Sequence, residues 1–154
     1  MSSKSIDLAK ELQMDSMYCA KSHYNASSFW VIVHYAIGIV MTASAAVAGI
    51  FIAKDGDVAQ TTAFVSTSIA TMFGAVSTFI KPSERSLQHK YAADSYLSLK
   101  NELKKSIAFN SDISEDDFMI LSHKRDLILG EAPQIPWFAY RSAKKGIESG
   151  EANY

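Results

Sequence analysis

The chain has 154 residues and a formal net charge of −1 at pH 7, which leaves room for one ordinary domain and excludes a strongly basic, nucleic-acid-binding surface. Its single cysteine, Cys19, excludes an intramolecular disulfide. The charges are unevenly spread, because Asp, Glu, Lys and Arg are absent between Lys21 and Lys54 and again from Val58 to Ile80. This segregation indicates two segments that cross a bilayer.

Residues 1–28 predict a helix that precedes the membrane. Ser5 is placed to cap its N-terminus, with Asp7 in the first turn. Neither Gly nor Pro interrupts it, so it is able to continue into the first crossing. No cleavable signal peptide is visible, and we expect the first crossing to serve as an uncleaved insertion signal.

Residues 29–80 predict a transmembrane hairpin. The first crossing, 29–53, is about 25 residues or roughly 38 Å long, and the second, 58–80, is about 23 residues or roughly 35 Å long, against a hydrocarbon core of about 30 Å. The connection 54–57 is so short that the two helices must be antiparallel neighbours. Its Asp-Gly-Asp is read as a turn, since the other ligand positions of a calcium loop are missing.

Both crossings are rich in small and hydroxylated residues that recur about every four positions. That spacing places them on one helix face, where they let helices approach closely in lipid. Two interpretations stay open: contact within the hairpin alone, or a second row that meets neighbouring subunits or lines a polar path. The predicted packing or pore-lining residues are Gly38, Thr42, Ser44, Ala46, Gly49, Ser66, Thr67, Ala70, Thr71, Gly74 and Ser77.

Residues 81–154 predict a cytosolic helical region. Pro82 fits the first turn of a new helix or a kink in a continuing one. Ser114 is placed to cap a helix N-terminus, and Gly130 to end that helix. The predicted helices are 82–108, 114–129 after a break at 110–112, and 137–149. The first of them has an apolar stripe of Leu87, Tyr91, Leu99, Leu103 and Ile107, with Tyr96 and Ala92 alongside.

The basic residues predict the orientation in the membrane. Lys21, Lys81 and Arg85 flank the outer ends of the crossings, whereas the turn holds one Lys and two Asp. An excess of Lys and Arg on one side predicts that both termini are cytoplasmic. The expected fold is therefore an all-α, multi-pass membrane protein: a two-helix transmembrane hairpin with an N-terminal pre-membrane helix and C-terminal cytosolic helices.

No catalytic chemistry is predicted. The sequence has no Gly-rich phosphate loop, no Cys or His pair at metal spacing and no nucleophile elbow, so we expect no enzyme, no metal and no cofactor. His34 lies within the first crossing and is favoured as an interfacial imidazole over a functional one. His23, His89 and His123 are far apart in the chain and predict no site.

The last helix carries a basic and aromatic group that is a candidate for docking a partner. The alternatives are a solvated face or attraction to anionic lipid. The group comprises Trp137, Tyr140, Arg141, Lys144 and Lys145.

The order of these parts resembles the SLATT family of bacterial two-transmembrane effector domains. The resemblance is carried by the runs 29–53 and 58–80, by 82–105 with Tyr91, Tyr96 and Leu99, and by 132–137 with Tyr140, Ala143, Gly146 and Ile147. It implies a homo-oligomeric effector of antiphage defence in the bacterial inner membrane, without catalytic residues, that acts on the lipid bilayer and causes cell death or dormancy. It implies as partners a defence-system sensor or a nucleotide second messenger, and no nucleic acid.

Two function hypotheses follow. The leading one is a pore-forming or membrane-perturbing effector, in which hydroxyls such as those of Ser44, Ser66 and Thr71 line a polar path. The alternative is a non-catalytic membrane anchor or scaffold that recruits a cytosolic partner. A transporter subunit is disfavoured, because no acidic or basic residue lies within the crossings.

Overall fold

The structure is a computed structural model that describes residues 2–109 and 113–150. Within these ranges it contains helices and connecting segments and no strand, so the all-α prediction is confirmed. The predicted break at 110–112 lies outside the described residues. The helices are α1 (Ser2–Ile52), α2 (Asp57–Ile80), α3 (Pro82–Phe109), α4 (Glu115–Glu131) and α5 (Trp137–Glu148).

The chain forms two compact units. The polar unit combines the chain up to Ser28 with the chain from Ser86 onward, and the apolar unit is Phe29–Arg85. Helix α1 contributes to both units. It is uninterrupted where one unit passes into the other, because it contains no Pro and its two glycines, Gly38 and Gly49, both lie in its second half.

Helix α1 begins earlier than its sequence suggests. The predicted N-cap, Ser5, is wrong, because helical structure starts at Ser2 and Ser5 lies inside it. In contrast, Ser114 caps α4 as expected: its Oγ accepts a hydrogen bond from the backbone N–H of Asp117 at 3.1 Å. That bond satisfies one of the N–H groups that the first helical turn leaves without a partner.

Helix α4 also extends beyond its predicted end. Gly130 is helical and is not the C-cap, because the helical hydrogen bonding continues as far as the N–H of Ala132, which donates to the carbonyl of Ile128 at 2.9 Å. Ala132 is itself extended, and Pro133 follows it. A residue before proline is pushed out of the helical region, so Pro133 sets the end of the helix and a glycine is not needed.

A sharp break separates α2 from α3. Lys81 is left-handed, with φ 48° and ψ 56°, and its N–H donates to the carbonyl of Ser77 at 2.9 Å. Pro82 follows as the first residue of α3, where its missing N–H costs nothing. Of the two expected roles of Pro82, the structure therefore has the start of a new helix.

The core of the polar unit forms where α1 meets α3. Ala9, Leu99, Leu103 and Ile113 are fully buried, and Leu12, Ile107, Phe118, Leu121 and Ile128 pack around them. Contacts between Ser27 and Ser86 and between His23 and His89 show that the two helices run antiparallel, because the residue number falls on one as it rises on the other.

The predicted apolar stripe of α3 is only half right. Leu99 and Leu103 are buried, but Leu87 and Tyr91 are 50% and 67% exposed. The buried face includes these two leucines, the predicted Tyr96, and Ser86, His89 and Ala93, at a spacing of three and four that is typical of two helices packed along their length. The face is therefore continuous, but its first half is polar.

In the apolar unit, α2 lies beside the second half of α1. A Cβ on Gly74 would be 3.3 Å from the Cε of Met41, which is a close contact that shows how near the two helices approach at this point. The connection between the helices includes Gly56, whose φ of +113° is a conformation that other residues rarely adopt. Ile37, Ala48, Ala59, Ala63 and Ser66 are the buried residues of this unit's paired helices.

Candidate functional site

Large apolar side chains are exposed around both helices of the apolar unit and form an apolar belt. The most apolar stretches of α1 and of Asp57–Phe109 have mean hydropathies of 2.0 and 1.6, yet only 6% and 11% of their residues are buried. Ile39, Phe64 and Phe79 are 67%, 74% and 87% exposed. A soluble monomer seldom exposes an apolar surface of this extent. Both helices are long and apolar enough to cross a membrane.

The predicted small and hydroxylated residues fall into two groups, which spacing alone does not separate. The inner group is buried or half-buried in the apolar unit and comprises Gly38, Ser44, Ser66, Ala70, Gly74 and Ser77. The outer row is exposed and comprises Thr42, Ala46, Gly49, Thr67 and Thr71. The outer row therefore lies where lipid or another protein chain would meet it.

Most threonine hydroxyls of the apolar unit are bonded within their own helix. The Oγ1 of Thr42 donates to the carbonyl of Gly38, that of Thr67 to Ala63 and that of Thr71 to Thr67, at 2.8, 2.8 and 2.9 Å. Such bonds to the carbonyl four residues earlier satisfy the hydroxyl without any external partner. The outer row can therefore face lipid without an unpaired donor.

One charged side chain contacts an aromatic ring at the polar end of this unit. The guanidinium carbon of Arg85 lies over the ring of Trp30, 5.0 Å from its centroid. This is a cation–π contact between a residue near the start of the first charge-free run and a residue just after the second. The outer ends of the two runs are thus next to each other.

The candidate docking residues of α5 share its exposed side. Trp137 and Tyr140 are 73% and 50% exposed, and all three basic residues are exposed as well. The opposite side of α5 is buried at Ala139, Ala143 and Gly146, as expected for a helix that packs closely on the rest of the unit. Asn25 Nδ2 donates to the carbonyl of Ala139 at 3.4 Å, which fixes the start of α5 beside α1.

A buried histidine pair lies between α1 and α3, and sequence reasoning missed it. The Nδ1 atoms of His23 and His89 are 3.0 Å apart, and the side chains are 1% and 4% exposed. At this distance one Nδ1–H donates to the other Nδ1, so each ring takes a definite tautomer. The ring of Tyr96 stacks on His23 with centroids 5.7 Å apart.

Other polar contacts continue the same seam. Ser86 Oγ donates to the carbonyl of Ser27 at 3.2 Å, and the two hydroxyls are 3.0 Å apart. The Tyr24 hydroxyl donates to Asp94 Oδ1 at 2.5 Å. Among the described residues no buried side-chain nitrogen or oxygen lacks a hydrogen-bond partner. A fully satisfied polar seam of this kind fixes one register between two helices.

The seam also shifts the pKa values of its groups. Burial, with a smaller contribution from His89, lowers the pKa of His23 to about 4. Burial and the hydrogen bond to Asp94 raise the pKa of Tyr24 to about 12, and burial raises those of Tyr96 and Cys19. The histidine is therefore neutral, and the thiol of Cys19 is protonated and unreactive, at neutral pH.

A groove lies between α3 and α4 in the polar unit. Its volume is about 630 Å³, and it is lined by Tyr91, Ser95, Lys124, Glu131 and Pro133 among others. Lys124 is engaged by both carboxylate oxygens of Glu102 at 2.7 and 2.8 Å. The groove therefore offers little uncompensated positive charge to an anionic ligand. Within residues 2–109 and 113–150, no three His, Cys, Asp or Glu side chains are grouped to hold a metal.

No family model, curated protein or solved structure matches this chain. The described residues offer three candidate functional features. These are the apolar belt with its outer row, the exposed side of α5, and the buried histidine pair.

The histidine pair had a weak signal in the sequence. His23 and His89 are 66 residues apart, and neither has a histidine partner at helical spacing. The only clue was that each continues a three-four spacing of small residues, which are Ser16, Ala20 and Ser27 on α1 and Ser86 and Ala93 on α3. The pairing requires knowledge of which two helices pack and in which register.

Proposed function

We propose that this chain is a membrane protein that crosses the bilayer twice within Phe29–Ile80 and keeps its polar unit in the cytoplasm. The observation that carries the proposal is the exposure of large apolar side chains around both helices of the apolar unit. The contact of Arg85 with Trp30 supports it, because an aromatic ring with a cation is typical of the level of the lipid headgroups.

The topology is tested by labelling with a membrane-impermeant maleimide. In a Cys19→Ala background, a cysteine replaces Asp55, in the connection before α2, or Ser142, on the exposed side of α5. We expect intact bacterial cells to be labelled at position 55 only, and position 142 to react after the inner membrane is permeabilised. Labelling at both positions in intact cells, or recovery of the protein in the soluble fraction, contradicts the proposal.

We further propose that the chain self-assembles through its outer row and acts as an effector that perturbs the membrane, in keeping with its resemblance to the SLATT family. Small residues exposed to lipid in two adjacent helices favour close helix–helix contact between copies. In this proposal assembly is the active state, and the outcome for a bacterium is the cell death or dormancy of antiphage defence.

Assembly is tested by enlarging the outer row. Replacing Thr67 and Thr71 by Leu is expected to weaken self-association roughly thirtyfold, because two close interhelical contacts of about 1 kcal/mol each are lost. The measurement is the oligomer distribution in lipid nanodiscs. The matched control replaces Val65 and Met72, which are exposed apolar residues on the opposite face of α2, by Leu. Equal distributions for all three proteins would rule out assembly through this row.

A second candidate function is a non-conducting membrane anchor or scaffold. The internally bonded hydroxyls of Thr42, Thr67 and Thr71 favour it, because they do not need a water-filled path. Release of a small dye from liposomes distinguishes the two candidates. Leakage that falls in the Thr67 and Thr71 double variant supports the effector, whereas stable oligomers in tight liposomes support the scaffold.

A further inference from the structure

The exposed side of α5 combines two kinds of side chain that a lipid surface recognises. Trp137 and Tyr140 each present an apolar ring with a polar group, which suits the boundary between headgroups and acyl chains. Arg141, Lys144 and Lys145 add positive charge on long apolar stems. Amphipathic helices with aromatic and basic residues exposed together lie in the plane of anionic membranes.

The charge of this side is unbalanced. Its three cations face one acidic residue of the same helix, Glu148, which lies 3.8 Å from the Nζ of Lys144. Two positive charges are therefore in excess on a helix of 12 residues. The opposite side of α5 is buried through Ala139, Ala143 and Gly146, so the helix cannot rotate to hide the aromatic side within the polar unit.

The position of α5 along α1 provides an independent argument. The hydrogen bond from Asn25 Nδ2 to the carbonyl of Ala139 sets the first turn of α5 beside residue 25 of α1. Asn25 precedes Phe29, where the predicted first crossing begins on the same helix, by four residues of sequence. Four residues of α-helix rise about 6 Å, which is within the thickness of the headgroup region.

We propose that the exposed side of α5 binds the anionic lipid headgroups of the membrane that α1 and α2 cross. This inference rests on the proposed function, because it requires that α1 be inserted. The basic residues bind the headgroup phosphates, and the rings of Trp137 and Tyr140 enter the interface. The binding of α5 thus depends on the anionic lipid content of the leaflet beside it, and α5 does not dock a protein.

The two tryptophans of the chain allow the two ideas to be tested separately. The full-length protein is reconstituted in vesicles containing brominated lipid, with or without anionic phosphatidylglycerol. A Trp30→Phe protein then reports on Trp137 alone, and a Trp137→Phe protein reports on Trp30 alone. Bromine quenches only a tryptophan that reaches the lipid, so Trp30 measures insertion and Trp137 measures docking of α5.

We expect Trp30 to be quenched in both kinds of vesicle and Trp137 to be quenched mainly in the anionic vesicles. Replacing Arg141, Lys144 and Lys145 by Gln is expected to lower the ratio of docked to undocked α5 roughly 25-fold. Each cation near an anionic surface contributes about a fivefold factor, reduced here because Lys144 is shared with Glu148. Added salt should have a similar effect, since it screens the same attraction.

The matched control replaces Lys10, Lys104 and Lys105, which are exposed basic residues of α1 and α3, by Gln. It changes the net charge equally and should leave Trp137 quenching unchanged. If Trp30 is quenched but Trp137 is not, or if the quenching of Trp137 does not depend on charge, the lipid-docking inference is overturned. The exposed side of α5 is then free to bind a protein. An unquenched Trp30 overturns the membrane proposal, and the docking inference with it.

Discussion

At pH 4.5 the polar unit is expected to be about 2.5 kcal/mol less stable than at pH 7.5 because of His23 alone. The pKa of His23 is lowered from 6.5 to about 4 in the folded protein by its burial and by the adjacent His89. A pKa difference of one unit between the folded and unfolded states corresponds to about 1.4 kcal/mol in the free energy of unfolding. The effect is large because the imidazole is 1% exposed and cannot be hydrated when it is protonated.

The direction follows from proton binding. Above pH 6.5 His23 is neutral in both states and contributes no pH dependence. As the pH falls from 6.5 towards about 4, the unfolded chain binds a proton at His23 that the folded chain does not bind, so stability is lost in this pH range. The ring of Tyr96 on α3 stacks on His23. The charges that act on Tyr96 are those of Cys19 on α1 and of Arg125 and Asp126 on α4; Arg125 lowers the pKa of Tyr96, and the other two raise it.

The measurement is urea unfolding in detergent micelles, followed by circular dichroism at both pH values. Carboxylates also titrate in this range, so the result is the difference between proteins. His23→Gln should lose about 2.5 kcal/mol less on acidification than the wild type does, whereas His123→Gln, at an exposed position, should behave like the wild type. If His23→Gln shows the full acid loss, the buried pair is not the source.

Leu103→Ala is expected to lower the free energy of unfolding by about 3 to 4 kcal/mol. The Leu103 side chain is 0% exposed and packs with Ala9, Leu99 and Ile113 in the only cluster of buried large apolar residues described in the polar unit. Truncation removes the transfer free energy of three carbon groups and leaves a cavity that the surrounding helices only partly fill. Typical total stabilities of small domains are 5 to 15 kcal/mol, so the loss is severe.

Leu87→Ala is the matched control for this change. Leu87 lies on the same helix, and the sequence predicted it for the same stripe, but it is 50% exposed. We expect its substitution to change stability by less than about 1 kcal/mol in the same urea titration. A similar loss of stability for both variants would mean that the buried apolar cluster around Leu103 does not stabilise the polar unit.

The helices were predictable from the sequence because their signals are local. Charge-free length defined both apolar segments, and Ser114 with the acidic residues after it defined the start of α4. Each of these depends on neighbours within one or two turns of the chain. The errors at Ser5 and Gly130 are of the opposite kind, since residues suited to a helix end were tolerated inside a helix held by longer-range packing.

The candidate site was less predictable because it depends on packing. Spacing showed that Ser66, Thr67, Ala70 and Thr71 form rows, but both rows have the same period, and only the position of the neighbouring helix separates inner from outer. The seam was hidden for a related reason. His89 looks like a surface residue in any window of sequence, and it becomes a core residue only when His23 pairs with it.

The hydroxyl bonds of α2 bear on the order in which such a protein is made. A hydroxyl that needed a second helix would keep α2 from entering lipid until that helix had arrived. Thr67, Ser68, Thr71 and Thr78 each donate to a carbonyl four residues earlier, so in the proposed membrane protein these four hydroxyls need no second helix when α2 enters the bilayer. In that proposal insertion and association are separate steps, and inserted single copies form a pool from which assembly starts. Assembly then depends on how many copies are present and on what brings them together.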